Sequence, residues 1–170
     1  MAAQYRLARL ADLPAIVSLY NSTIASRRVT ADLEPVTVES RLSWFHAHHP
    51  RKRPIWVVDR DDGSAPDHLA AWLSFSDFHH RPAYAGTAEL SLYVHENCRR
   101  RGLGSLLLAE AVKAAPGLGI HSLVGLIFAH NQPSLQLFAQ AGFAQWAHMP
   151  GVAEMDGQRY DLVVVGKTVG

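Results

Sequence analysis

The sequence predicts an α+β fold, a central and mostly antiparallel mixed sheet flanked by helices, in the order β-α-α-β-β-β-α-β-α-β-β. Three observations carry this. Short alternating or wholly apolar runs bounded by turn residues recur along the chain, among them "PIWVVDR", "HLAAWLSFSDF", "TAELSLYVHE" and "HSLVGLIF". Between them lie segments whose apolar residues fall three and four apart, the helical period. Two pairs of strand-like runs follow one another with no helix between, at 54–78 and 143–169, so hairpins interrupt any strand–helix repeat.

Element by element, "YRLARL" (5–10) alternates and reads as the first strand. "ADLPAIVSLYNSTI" is a helix with Asp12 as N-cap and Pro14 in the first turn, where its missing N–H costs nothing. "SRRVTADLEPVT" has no period and is a loop. "VESRLSWFHAHH" is a second helix, with Leu42 and Phe45 turned inward and Pro50 ending it. "PIWVVDR" and "HLAAWLSFSDF" form a hairpin around the turn residues "DDGSAPD", and "HHRPAYAG" is irregular. In "TAELSLYVHE" the strand period sets Glu89, Ser91 and Tyr93 on one face and Leu90, Leu92 and Val94 on the other. "LGSLLLAEAVKAA" is a helix stopped by "PGLG", and "HSLVGLIF" a buried strand. "NQPSLQLFAQAG" is a short helix with Pro133 near its start and Gly142 as its C-cap. "FAQWAHM" and "RYDLVVVGKTV" are the last strands, around a loop "PGVAEMDGQ" (150–158).

At 170 residues, with no repeat, linker or low-complexity tract, the chain is expected to form a single domain spanning 1–170. A formal net charge of +1 gives no whole-molecule field for nucleic acid or an anionic membrane, so any basic function is local. One cysteine, Cys98, excludes an internal disulfide and fits a reducing cytoplasm. No run approaches the ~20 apolar residues of a membrane span, and the N-terminal stretch lacks the apolar core of a signal peptide. The expectation is a soluble cytoplasmic protein with no nucleic-acid or membrane partner.

"RRRGLG" (99–104) stands where a strand gives way to a helix. A helix N-terminus offers unpaired N–H groups and a positive dipole end, and glycine lets backbone approach an anion closely. No Lys-Ser/Thr follows the glycines, so this is not a Walker loop, and the dinucleotide fingerprint is absent. A pyrophosphate held on backbone with arginine charge remains. Further on, "NQPSLQLFAQAGF" sets Asn131 at a strand end beside a helix start, with Ser134 in the first turn.

Together, Arg-x-x-Gly-x-Gly before a helix and Asn-x-x-Ser-x-x-Leu-Phe before a closing Gly-Phe resemble the acetyl-CoA motif pair of the GCN5-related N-acetyltransferase superfamily. Tyr20-Asn21, "RLSWF" (41–45), "AELSLYV" (88–94) and "RYDLVVV" are similar to the phosphinothricin and methionine sulfone N-acetyltransferase branch, over nearly the whole chain. The resemblance implies an acetyl-CoA-dependent N-acetyltransferase acting on the primary amine of a small molecule, without a metal, and a homodimer. It implies that Leu92, Tyr93 and Val94 pair with pantetheine in a wedge between splayed strands. Arg99, Arg100, Arg101, Gly102, Leu103, Gly104 and Ser105 would hold the pyrophosphate, and Asn131 with Ser134 the coenzyme arm. Glu89 corresponds to the proposed general base, and strand N–H groups near Tyr93 would steady the oxyanion. Substrate contacts are implied for His79, His80 and Arg81 and for Glu89, Leu90 and Ser91.

Two departures stand out. Near the leaving thiolate the branch often carries His and the wider superfamily Tyr; here Phe138 has no proton to give. The loop before the catalytic strand supplies Arg81, but a second arginine position is Ala85. Other clusters read more plainly. The histidines at 46–49 and 79–80 lack the carboxylate or cysteine partners of a metal site, and those at 46–49 read as exposed helix-end residues. "RKR" (51–53) reads as a solvated loop, Cys98 as incidental, and the four tryptophans as core or pocket wall. The rival readings are an acyl-CoA-binding module without catalysis, or acetylation of a protein N-terminus or a polyamine.

Overall fold

The computed structural model describes residues 4–61 and 67–170. One seven-stranded sheet, in the order β1-β2-β3-β4-β5-β7-β6, organises them. Its strands are β1 (Tyr5–Leu7), β2 (Ile55–Asp59), β3 (Leu69–Asp77), β4 (Thr87–Val94), β5 (Ser122–Phe128), β6 (Ala144–Met155) and β7 (Gln158–Thr168). Its helices are α1 (Leu13–Ser22), α2 (Val38–His46), α3 (Leu103–Ala114) and α4 (Gln132–Gln140). Neighbouring strands run antiparallel except β4 and β5, which are parallel. This is the expected element order and the expected mixed sheet.

The middle of the sheet is buried on both faces while the edge strand β6 is largely exposed, and strand alternation sorts the side chains. Ala71, Leu73 and Phe75 of β3, with Ala88 and Leu90 of β4, pack under α3, whose Leu103, Leu107, Leu108 and Ala111 repeat at helical spacing. Leu107 and Leu108 are fully buried, worth about 1.5–3 kcal/mol each. On the opposite face Ile55, Val57, Leu69 and Trp72 meet Ala15, Ile16 and Leu19 of α1, with Trp44 and Tyr93 against them. Glu89, Ser91 and Tyr93 therefore share the α1–α2 side, as the period predicted.

Several expectations are corrected. The first strand ends at Leu7, and Leu10–Asp12 is a 3-10 turn. Asp12 does not cap α1 with its side chain. Its carboxylate instead accepts from Arg6 at 2.8 and 2.9 Å, from the Arg9 N–H at 2.7 Å, and lies 3.0 Å from His68 Nε2. On α2, Leu42 is 37% exposed; Arg41, Trp44 and Phe45 form the inward stripe, which His48 continues just past the helix end, because α1 and β3 lie on that side. His48 is half-buried, its Nδ1 2.6 Å from the Trp44 carbonyl. Arg53 is no solvated loop residue: its Nε lies 2.7 Å from Asp77, and it donates to the Ala85 carbonyl at 2.7 Å. Trp146 is 48% exposed, lying over Gly166. The loop foreseen at 150–158 is mostly strand. β6 is an edge strand, so Pro150 forfeits no interior ladder bond, and the register shift between Met149 and Ala153 absorbs it. The hairpin turns at Asp156-Gly157, both at positive φ, the two-residue geometry that suits strand twist. Of the turn expected at 61–67, residues 62–66 lie outside the described residues.

Candidate active site

β4 and β5 pair only at Thr87↔Ser122, Ala88↔Leu123 and Glu89↔Val124. Beyond Glu89 they part. β4 stays bonded to β3 as far as Val94, and β5 to β7 as far as Phe128, but no rung joins them to each other. A cavity of about 350 Å³ opens in the gap. Glu89, Leu90, Ser91, Leu92 and Tyr93 form one wall and Gly125 to Phe128 the other. Asn131, Ser134 and Phe138 close it from α4. Two facing backbone edges with no ladder bonds between them can accept an extended, amide-bearing chain as a further strand.

At the end of β4 the chain makes a 3-10 turn, Glu96–Cys98, then the arginine run. Arg100 (φ 59°) and Gly102 (φ 78°) both adopt the left-handed conformation, alternating with extended Arg99. Arginine in that region is strained, a feature that concentrates at functional turns. These turns stand just where α3 begins, and the first N–H groups of a helix have no intrahelical partner and can meet an anion. Arg99, Arg100, Arg101, Gly102 and Ser105 are exposed there, whereas Leu103 and Gly104 are buried. Gly104 has a packing role: a Cβ on it would stand 2.8 Å from Leu137 Cδ2. Asn131 caps α4, its side chain accepting from the Ser134 N–H at 3.3 Å.

Glu89 sits on the last shared rung, at the apex of the gap. Burial alone pushes its carboxyl above the ordinary value. Among the described residues no hydrogen bond or ion pair reaches that carboxylate. Tyr93 stacks on Trp72 (4.5 Å, 27°) and meets the Tyr20 ring edge-on at 5.3 Å. Burial holds its hydroxyl protonated, so its side chain is a wall and any catalytic part falls to its backbone. His79, His80 and Arg81 lie on an exposed turn and line neither this cavity nor its smaller neighbour. His79 stacks on His80 at 4.4 Å, and the Arg81 N–H donates to His79 Nδ1 at 3.1 Å. Cys98 is buried in the α3 core, consistent with an incidental thiol. Among the described residues no group of three or more potential ligands could hold a metal ion.

The sequence reading passed over the segment after α1, which the structure draws into the site. Val29, Thr30 and Ala31 line the large cavity. Asn21 pins the segment through both amide atoms, bonded to the Val36 N–H and carbonyl at 2.9 Å each. Its other end is held by Arg27, whose Nε lies 2.8 Å from Asp156 and whose carbonyl lies 2.8 Å from His130 Nε2. The faint signals were Tyr20-Asn21 and "RLSWF", residues that frame this loop on either side.

A sheet whose central parallel pair separates beside a glycine-bearing helix start has room for an extended, anion-tipped ligand between its strands. The comparisons with known proteins agree. The matching family model, Acetyltransferase (GNAT) family, covers residues 16–143, and the chain belongs to that family. A Bacillus subtilis protein named "Putative phosphinothricin acetyltransferase YwnH" is 55% identical over 162 residues, 95% of this chain and 96% of the relative. The "L-methionine sulfoximine/L-methionine sulfone acetyltransferase" of Pseudomonas paraeruginosa is 32% identical over 95% of this chain and 92% of its own. A Salmonella typhimurium structure solved "with its cofactor Acetyl-CoA" superposes with a TM-score of 0.89 at 28% identity, covering 100% of this chain and 95% of that one. The protein is an acetyl-CoA-dependent N-acetyltransferase. Its own residues fit that cosubstrate, with unpaired strand edges for the arm and, for the pyrophosphate, the start of α3 beside three exposed arginines. No described helix is long and apolar enough to cross a membrane.

Proposed function

We propose that the protein moves acetyl from acetyl-CoA to the primary amine of an amino acid or analogue, of the phosphinothricin or methionine sulfone kind, with Glu89 as general base. The observation that carries the proposal is the Glu89 carboxylate, half-buried, without a partner among the described residues and displaced upward in pKa at the apex of the strand gap. An acceptor amine arrives largely protonated at neutral pH and must shed a proton before its lone pair can attack. A carboxylate held next to the reacting centre receives it directly or through one water. The printed names of the relatives support an amino-acid analogue as acceptor.

In this reading acetyl-CoA supplies the thioester, and the chain does the rest. Leu92, Tyr93 and Val94 present backbone to the arm, and the N–H groups near Tyr93 face the oxygen that gains charge. Residues 99–105 hold the pyrophosphate, while Asn131 and Ser134 position the arm. Arg81, whose guanidinium has no ion pair among the described residues, is offered to the acceptor carboxylate from the turn it shares with His79 and His80. Phe138 lines the cavity but its ring carries no acidic proton, so it cannot protonate the sulfur. A thiol pKa of about 8.5 lets the sulfur leave as thiolate. The same reading takes residues 1–170 as one domain, working as a homodimer in the cytoplasm; sedimentation of the purified chain tests the dimer.

Phe138 also favours a second reading, an acyl-CoA-binding module that has lost turnover. Thiol release from acetyl-CoA across amino acids, phosphinothricin, methionine sulfone, polyamines and short peptides separates the two. Turnover with an amino-acid analogue supports the enzyme reading. Acetyl-CoA binding with no thiol release from any amine supports the module.

A further inference from the structure

A second cavity, of about 170 Å³, opens on the α1–α2 side of the sheet. Ser91 and Tyr93 line both cavities, so the two adjoin along β4. Glu89, Ser91 and Tyr93 share one face in steps of about 7 Å, so the second cavity begins one step from the base. An acceptor whose amine stands at Glu89 extends toward it.

Of the described residues that line the two cavities, Glu89 is the one anion and Arg41 the one cation. The Arg41 side chain is 31% exposed, so solvent or a ligand can reach it. Two contacts orient its head. Nη2 donates to Asp32 at 2.9 Å, and the guanidinium carbon lies 5.1 Å from the centroid of the Tyr20 ring, over its face. Asp32 in turn accepts from the Tyr20 hydroxyl. No other hydrogen bond from this guanidinium is found among the described residues, which leaves Nε and Nη1 as donors for a ligand or water. A partly exposed ion pair contributes little to folding stability. A guanidinium oriented in advance, by contrast, can take an oxyanion through two N–H bonds with little left to order.

The Tyr93 hydroxyl registers both charges. Burial is the main cause of its raised pKa; Tyr20 and Glu89 add to it, and Arg41 opposes it. Base and guanidinium therefore act on one side chain. Arg81 stands at the other end of the strand. Its turn joins β3 to β4 beyond the Asp77↔Ala88 rung, so along β4 Glu89 lies between that turn and the second cavity. An acceptor group at the turn meets Arg81, and one that enters the second cavity meets Arg41. An amino-acid acceptor carries an ammonium and at least one oxyanion, the complement of Glu89 and Arg41.

We propose that Arg41 is a specificity-determining residue, which holds an oxyanion of the acceptor, its α-carboxylate or an acidic side-chain end, in the second cavity while Glu89 takes the amine. The proposal rests on the reading that Glu89 receives the acceptor amine. The test compares three acceptors: phosphinothricin, with a carboxylate and an anionic tail; methionine sulfone, with a carboxylate and a neutral tail; and the carboxamide of methionine sulfone, with no oxyanion. Arg41→Gln is expected to lower kcat/KM for phosphinothricin about ten- to a hundredfold, through KM, and to leave the carboxamide unchanged. Arg41→Lys, which keeps the charge without the fork, is expected to lose less. The KM for acetyl-CoA, whose cavity Arg41 does not line, should stay the same.

A matching loss with methionine sulfone assigns the contact to the α-carboxylate; a loss with phosphinothricin alone assigns it to the side-chain end. Equal losses with all three acceptors overturn the proposal, because Arg41 then serves the fold. No loss with any of them overturns it as well. Calorimetry of phosphinothricin and methionine sulfone with the CoA-bound protein gives a readout without turnover. Arg41→Gln should weaken at least one of them about tenfold or more, and unchanged affinity for both overturns the proposal. Should no amine be acetylated, the base-and-acceptor reading fails, and the calorimetry still decides Arg41. If Arg41→Gln does not fold, Arg41→Lys carries both measurements.

Discussion

Replacing Glu89 by glutamine keeps the side chain's size and removes only its charge and basicity. Because no described residue bonds the carboxylate, nothing is left unpaired, and folding stability should not fall. The sign runs the other way. Burial raises the native pKa above the unfolded value, so the native state holds the proton more tightly, and stability declines as pH rises through that interval. Glutamine never ionises, and the variant should be at least as stable as the wild type at pH 7 by chemical denaturation. Catalysis should suffer. A positioned base contributes about 10²–10⁴-fold, and at about 1.36 kcal/mol per decade that is roughly 3–5 kcal/mol of lost transition-state stabilisation. The wild-type kcat/KM should show an acidic limb above the ordinary glutamate value of about 4.3, and the variant should lack it. As the pH rises past the pKa of the acceptor amine, the acceptor needs no base and the gap between the two enzymes should close. Thiol release over pH 5–10 measures all of this. A gap that stays constant across the range, or a loss below about tenfold at pH 7, would refute the base assignment.

Three further outcomes follow from particular contacts. Asp12 loses its solvent on burial, which raises its pKa, but the bonds from Arg6, the Arg9 N–H and His68 outweigh this and hold it well below the usual range. Its contribution should be present above about pH 4 and be lost as pH falls toward the native value; Asp12→Ala should cost about 1.5–3 kcal/mol at pH 7, read by urea denaturation. Gly102→Ala meets nothing within 4 Å, so its expected cost of about 1–2 kcal/mol comes from the left-handed backbone, with a raised KM for acetyl-CoA as the kinetic sign. Arg27→Asp should lower kcat/KM severalfold by freeing the segment that carries Val29 to Ala31, and the reversed pair with Asp156→Arg should restore it.

Elements with a strong period and clear punctuation could be read directly. The α3 stripe of Leu103, Leu107, Leu108 and Ala111 and the caps of α4 are local facts, and both stand where the pattern put them. Where local rules compete with neighbours they mislead. Pro150 and Gly151 look like a strand's end, yet the outer edge of a sheet tolerates them at a bulge. Asp12 looks like a cap, yet Arg6 of β1 and His68, just before β3, reach it. Leu42 looks like core and Arg53 like surface because helix rotation and ion-pair partners are set by elements far away in the chain.

The same division holds for the site. The residue types at the glycine turn, the α4 cap and the proposed base, together with the period that sets Glu89, Ser91 and Tyr93 on one face, are properties of the sequence. They follow from spacing within one element, because a strand alternates whatever surrounds it. That β4 and β5 part after Glu89 is a property of the tertiary structure, since it depends on each strand keeping its other partner. So are the second cavity and the pairing of Arg41 with Asp32. Those arise from the packing of α1 and α2 over β3 and β4, contacts between segments whose separation no local pattern encodes.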